Sequence, residues 1–282
     1  MSTPSLLPLD RAVDDRAVVL RASIDLDYPN KPRALNGAAI EIRAGEVLGL
    51  IGESGSGKSS IALAILRLLG RRGARVTGTI EFAGRDLLAA SESEMRTVRG
   101  REIGLVLQSP IASLNPALRI GTQLAEAWNA HRKTTRAETR ERILRVMEMV
   151  SLPAGDEFLE RYPKQLSVGL AQRVLIGMAI LHEPKLLIAD EPTSALDVIT
   201  AADILNLFAR LNRELNMAIL FISHDLLSVA SLCHRVAIMR SGKIVECTAT
   251  DQIFDDPRHE YTKALVGATQ FTRRLKLPVE AG

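Results

Sequence analysis

An eight-residue loop, Gly52-Glu53-Ser54-Gly55-Ser56-Gly57-Lys58-Ser59, constrains this chain more than any other stretch. It reads G-x-x-x-x-G-K-S. An apolar strand pattern (46–51) precedes it and an apolar helical run (60–66) follows. That is the setting a phosphate-binding loop requires. Its glycines allow successive backbone N–H groups to turn inward around an anion. The start of the following helix adds its partial positive charge. The candidate anion cradle is therefore Gly52, Glu53, Ser54, Gly55, Ser56, Gly57, Lys58, Ser59 and Ser60. Lys58 would reach the β- and γ-phosphates of a nucleotide, and the Ser59 hydroxyl would bind Mg²⁺. A glycine-rich turn with an incidental lysine would lack the strand and the helix in register.

Composition narrows the class. The chain has 282 residues, 46% hydrophobic and 24% charged, an ordinary globular composition with enough material for a buried core. A net charge of +3 is too small to argue for nucleic acid. Residues 1–10 lack a basic region followed by a long apolar core, so no signal peptide is expected. No apolar run reaches the roughly 18 residues of a membrane span. Cys233 and Cys247 are the only cysteines and read as isolated, buried thiols in a reducing cytoplasm.

Along the chain, residues 1–16 form a loose lead-in. Strand patterns fall at 17–26, 38–42, 46–51, 76–82 and 103–107, with a turn at 28–32. From 117 to 180 the texture is helical. In that block Ile143, Leu144, Val146, Met147 and Val150 make one apolar helix face. Arg136, Glu138, Arg140, Glu141, Arg142 and Arg145 form its solvated face. Strand and helix alternate again afterwards: strand 185–189, helix 198–215, strand 217–223, and a hairpin of 234–239 with 243–247 around Ser241-Gly242. The end is helical at 250–268, followed by a basic tail at Arg273, Arg274 and Lys276. The fold class expected is α/β: a mixed sheet, antiparallel near the N-terminus, carrying an inserted helical subdomain at about 109–180. The main unit spans 17–250, and 251–282 forms a C-terminal helical segment and tail.

A second chemical signal is the apolar run 185–189 ending in Asp190-Glu191. Mg²⁺ prefers hard oxygen ligands, which Asp190 supplies at a strand end. Glu191 is placed to orient or deprotonate an attacking water. Alone, the pair is equally a strand meeting a polar edge; the phosphate loop gives it meaning.

With these residues in view, the chain resembles the nucleotide-binding subunits of ATP-binding-cassette transporters. Leu166-Ser167-Val168-Gly169-Leu170 resembles the family's signature, usually L-S-G-G-Q. Gln108 sits at the Q-loop, Ser194-Ala195-Leu196-Asp197 matches the D-loop, and His224 matches the switch histidine. Order and spacing agree over 17–250. The resemblance implies ATP and Mg²⁺ as ligands and a head-to-tail dimer, with each ATP between one subunit's phosphate loop and the other's signature. Ser167, the Gly169 N–H and Asp197 would then act on the partner's nucleotide. Gln108 would sense Mg²⁺ or the attacking water, joining Ser59 and Asp190 at the metal. His224 would hold the γ-phosphate. Tyr28, in the lead-in turn, is the candidate for stacking on adenine, or else a turn-packing tyrosine. The catalytic set is Glu191, His224, Gln108 and Lys58.

A closer resemblance is to the oligopeptide, dipeptide and nickel importer ATPases. It rests on Gln108-Ser109-Pro110-Ile111-Ala112-Ser113-Leu114-Asn115-Pro116, on the run 190–198, and on 256–265, similar to H-P-Y-T-x-x-L. The implied partners are a second ATPase subunit (a paralogous chain or another copy), two transmembrane permease subunits and an extracytoplasmic substrate-binding protein. No nucleic acid is expected. The helical insert near Gln108 would grip a short cytoplasmic helix of a permease at the inner membrane's cytoplasmic face. Many peptide-type members carry a cysteine-bearing extension after the H-P-Y segment. No cysteine follows it here, so no iron–sulfur cluster is expected. Nickel or metal-chelate uptake is the alternative cargo, and a soluble cassette acting in translation or DNA repair is the alternative class. Val168 replaces the usual glycine, and its branched side chain would weaken the ATP site that this signature completes.

Overall fold

The computed structural model of the chain describes residues 16–70 and 73–275. The expected lead-in lies outside these residues except for Arg16, as does Lys276 of the basic tail. The chain begins with β1 (Val18–Tyr28) and β2 (Lys31–Arg43), an antiparallel hairpin joined by Pro29 and Asn30. In β1, Leu20, Ala22, Ile24 and Leu26 are buried while Arg21, Ser23 and Asp25 face water. That period of two is what makes the run a one-sided strand. Next come β3 (Val47–Gly52), α1 (Lys58–Ile65), β4 (Arg75–Phe82), β5 (Arg85–Asp86), α2 (Glu92–Val98) and β6 (Ile103–Val106). The strands β2, β1, β4 and β5, in that order, form a four-stranded sheet whose pairings are all antiparallel.

The helical block comprises α3 (Pro110–Ser113), α4 (Ile120–Asn129), α5 (Arg136–Met149), α6 (Asp156–Leu159) and α7 (Val168–Ile180). A capping box between Thr135 and Glu138 starts α5, reciprocally satisfying two donors. Its apolar face buries Ile143, Val146 and Met147, with Val150 following at the C-cap. Arg142 departs from the solvated face expected for it. Its side chain is 13% exposed and pairs with Glu183 at 2.8 Å. It donates to Leu181 O at 2.7 Å and packs over the Trp128 ring. The end of α7 leaves carbonyls without intrahelical donors, and the Arg142 guanidinium supplies one.

The alternation resumes with β7 (Leu186–Asp190), α8 (Val198–Leu215), β8 (Ala218–Ser223), α9 (Leu226–Leu232), β9 (Arg235–Arg240), β10 (Lys243–Ala249), α10 (Thr250–Asp255) and α11 (Glu260–Leu275). A second sheet has the order β10-β9-β3-β8-β7-β6, parallel except for β10. Its central strands read as continuous apolar runs because both faces are covered. Leu48, Leu50, Ile188 and Leu220 face the first sheet and α1. Val47, Ile51, Leu187, Ile219 and Phe221 face the cluster that contains α7, α8 and α9. The loop 52–57 thus leaves the C-terminal edge of a central strand, where β7 and β8 also end. Of the two cysteines, Cys233 is buried and Cys247 is exposed. The latter corrects the expectation that both are buried; Cys247 lies on the edge strand β10, where alternation turns it outward.

Candidate functional site

The loop is shaped by what surrounds it. A Cβ on Gly52 would collide with the Met239 carbonyl of β9. Gly57 sits at φ +111°, where a side chain would also meet Leu35. These two positions need glycine for space and for backbone conformation respectively. Lys58 opens α1, is only 5% exposed, and donates to Gly52 O at 2.7 Å and Glu53 O at 3.1 Å. Burial holds its ammonium below the ordinary lysine range, partly offset by the carboxylates of Glu191 and Asp190. The cation is therefore parked on loop carbonyls and has acidic neighbours but no direct ion pair.

Beside it, Asp190 ends β7 at 8% exposure. Burial raises its carboxyl; the nearby Ser59 hydroxyl opposes that rise, Glu191 adds to it and Lys58 opposes it. Asp190 Oδ1 is buried with no hydrogen-bond partner. A desolvated carboxylate oxygen next to a hydroxyl is a fitting pair of ligands for a hard cation. Among the described residues no cluster of three His, Cys, Asp or Glu could hold a metal alone. An ion here would draw its other oxygens from phosphate and water, as Mg²⁺ does.

Glu191, next in the chain, takes φ +48°, a left-handed conformation rare for a glutamate. Its N–H is tied to Ile222 O at 2.9 Å, which pins it to the neighbouring strand. The side chain then meets two groups from distant parts of the chain. Gln108 Nε2 donates to Glu191 Oε2 at 3.0 Å, and His224 Nδ1 lies 3.2 Å from the same oxygen. Gln108 follows β6 and His224 follows β8, so the strand order β8-β7-β6 assembles the trio. Tyr28 OH and Ser60 Oγ are hydrogen-bonded at 3.0 Å. A cleft of about 520 Å³ is lined by Tyr28, Ser59, Ser60, Gln108, Glu191 and His224, among others. Lys31 also lines it, donating to Gly55 O at 3.2 Å. Sequence reasoning passed over Lys31 as a turn residue; a cation three positions after the aromatic Tyr28 was its signal.

Ser167, Gly169 and Asp197 are not in this cleft. Ser167 caps α7, accepting from Leu170 N at 3.3 Å. Asp197 caps α8, accepting from Ile199 N and Thr200 N. Gly169 abuts Thr200, so the two helix starts are neighbours. Around them Val168, Val198 and Ile199 are exposed, at 40%, 86% and 77%.

Residues 35–194, more than half of the chain, match the ABC transporter family. The chain belongs to that family. Its ATPase domain binds and hydrolyses ATP. Among curated relatives of this cassette, the probable peptide ABC transporter ATP-binding protein y4tR of Sinorhizobium fredii is 44% identical over 86% of this chain and 72% of its own. The oligopeptide transport ATP-binding protein OppD of Bacillus subtilis is 43% identical over 86% of this chain and 68% of its own. The dipeptide transport ATP-binding protein DppD of Escherichia coli is 43% identical over 84% and 72%. The dimeric post-hydrolysis ATP-binding cassette MJ0796, bound to ADP and Pi, superposes with a TM-score of 0.71 at 25% identity, covering 82% of this chain and 98% of that one. For cbiO1 from Clostridium perfringens the TM-score is 0.75 at 23% identity, covering 93% and 100%, a likeness of fold. The cassette is thus an ATPase subunit of a transporter, and among its described residues no helix is long and apolar enough to cross a membrane.

Proposed function

We propose that this cassette hydrolyses ATP in a dimer and so energises peptide import through permease subunits that it does not itself contain. Adenine stacks on Tyr28, and the loop from Gly52 to Ser60 cradles the phosphates. Lys58 exchanges the carbonyls of Gly52 and Glu53 for phosphate oxygens, so its charge is delivered already desolvated. Ser59 and Asp190 would hold Mg²⁺, with Gln108 at its edge. When bound, the ion neutralises charge on the β- and γ-phosphates. Glu191 orients and deprotonates the attacking water, and Gln108 and His224 fix the carboxylate's orientation before substrate arrives. His224, 62% exposed at its side chain, is free to turn toward the γ-phosphate. Ser167, Gly169 and Asp197 serve the partner's ATP. The exposed apolar rim of Val168, Val198 and Ile199 supports burial of that edge in a second subunit.

The identity of 41–44% to proteins named for peptide, oligopeptide and dipeptide transport carries the choice of cargo. Attachment to the cytoplasmic face would be through the permeases. A cleft of about 290 Å³ lined by Leu66, Leu68, Leu105, Leu107, Leu175 and Met178, between the core and the helical block, supports docking of a permease helix there. An extracytoplasmic binding protein would select the substrate. The deciding experiment purifies the chain with its bound membrane subunits and measures ATP-driven uptake in vesicles. Uptake of short peptides is expected. Uptake of a nickel chelate and not of peptides refutes the cargo, and purification without any membrane subunit refutes the transport reading.

A further inference from the structure

The β9–β10 hairpin backs the phosphate loop, and the segment after residue 250 packs on that hairpin. Gly242, in the turn between β9 and β10, donates its N–H to Ser56 O at 2.9 Å. In β9, Met239 is registered beside Gly52. On β10, Glu246 accepts from the N–H groups of Arg258 at 2.9 Å and His259 at 3.0 Å, just ahead of α11. Burial alone would raise this carboxyl, but the N–H donors of Arg258 and His259 help leave it below the usual glutamate range. One carboxylate thereby anchors the start of α11 on the hairpin that backs the loop.

The anchored turn carries Tyr261. This residue is 8% exposed, and Arg240 lies over its ring, 4.9 Å from the centroid. Its hydroxyl is buried with no closed hydrogen bond. Arg240 follows Met239, the sheet neighbour of Gly52, so the Tyr261 ring stands beside the start of the loop, within electrostatic reach of Glu53. Burial pushes the phenol up, so it stays a neutral hydroxyl at physiological pH. A buried, unpartnered hydroxyl is costly to keep, and here it stands beside the one segment whose hydrogen bonds must change when Lys58 leaves Gly52 O and Glu53 O.

We propose that Tyr261 is a positioning residue for the phosphate loop: its hydroxyl pairs with Glu53 when the loop closes on a nucleotide, so that α11 is coupled to nucleotide occupancy. The proposal rests on the reading of the 520 Å³ cleft as the nucleotide site. It makes the C-terminal segment part of that site, although its residues touch no nucleotide.

The test uses the full chain with Tyr261→Phe, which keeps the ring, its packing and the Arg240 contact. MgATP affinity is measured at 20 °C, well below the melting temperature of either protein, and alongside it KM and kcat in the assembled transporter. An affinity lower by about three- to tenfold is expected, the size of one hydrogen bond, with KM rising more than kcat falls. An affinity within twofold of the parent overturns the proposal whatever happens to thermal stability, because a purely structural hydroxyl alters melting and not ligand affinity in the folded state. Lys58→Ala serves as the second arm. If it loses ATP while Tyr261→Phe does not, only the positioning role fails. If it still binds ATP normally, the underlying assignment of the cleft fails.

Discussion

Glu191→Gln isolates the charge of one carboxylate from its shape. The amide keeps an oxygen that can accept from Gln108 Nε2, now 3.0 Å away, and it keeps the backbone bond to Ile222 O. Packing and local conformation are therefore retained, and the melting temperature should stay within about 2 °C, since no buried group loses its only partner. Two electrostatic changes oppose each other. Asp190 loses a like charge that raises its carboxyl, which favours metal binding, while Lys58 loses an attractive neighbour. ATP affinity should accordingly move less than about threefold. Turnover should not survive: a positioned general base contributes on the order of 10²–10⁴ in rate, or about 3–5 kcal/mol of barrier. The assay is phosphate release by the assembled complex at saturating MgATP, with ATP affinity measured on the same preparation. Turnover within twofold of the parent would refute the role of Glu191 as the water-orienting base. A parallel collapse of ATP affinity would place the carboxylate in binding rather than in chemistry.

Other outcomes follow from separate parts of the molecule. Val168→Gly removes an exposed branched side chain from the first turn of α7 and should raise the ATPase rate of the assembled complex severalfold; an unchanged rate would show that the partner's site tolerates valine. Glu246→Gln should lower the melting temperature at neutral pH and flatten its dependence on acid. The sign follows from a folded-state value below the ordinary 4.5: the stabilisation is complete above that value and is lost as pH falls through the depressed one. Melting curves between pH 3 and 7 that remain parallel for parent and variant would contradict it. Arg142→Ala should destabilise the chain by about 2–3 kcal/mol in chemical denaturation, because Leu181 O loses a donor and Trp128 loses a packing partner. A loss under about 0.5 kcal/mol would return Arg142 to the solvated face that its sequence position suggests.

Much of the site was legible in one dimension because its parts are local. A phosphate loop is a strand, a turn and a helix in immediate succession, and each leaves its own pattern between 46 and 66. The buried run ending in Asp190 and Glu191 is equally self-contained. Helix faces were legible where apolar residues recur, as in α5. Periodicity fails for Arg142, since a long side chain can lie across its own helix and reach another's carbonyls. The expectation from residue type fails at Cys247, where alternation on an edge strand sets exposure.

From the sequence by itself come the loop, the strand-end acids and the order of the later motifs, all set by neighbours along the chain. Tertiary structure alone decided which distant groups share an atom. Gln108, 83 residues before Glu191, and His224 meet one carboxylate oxygen because β6, β7 and β8 end side by side. Tyr261 comes to stand beside the start of the loop because a carboxylate anchor holds α11 on the hairpin that pairs with β3. Residue spacing encodes local geometry, whereas these meetings depend on the order of strands in a sheet, which is settled only when the whole core packs.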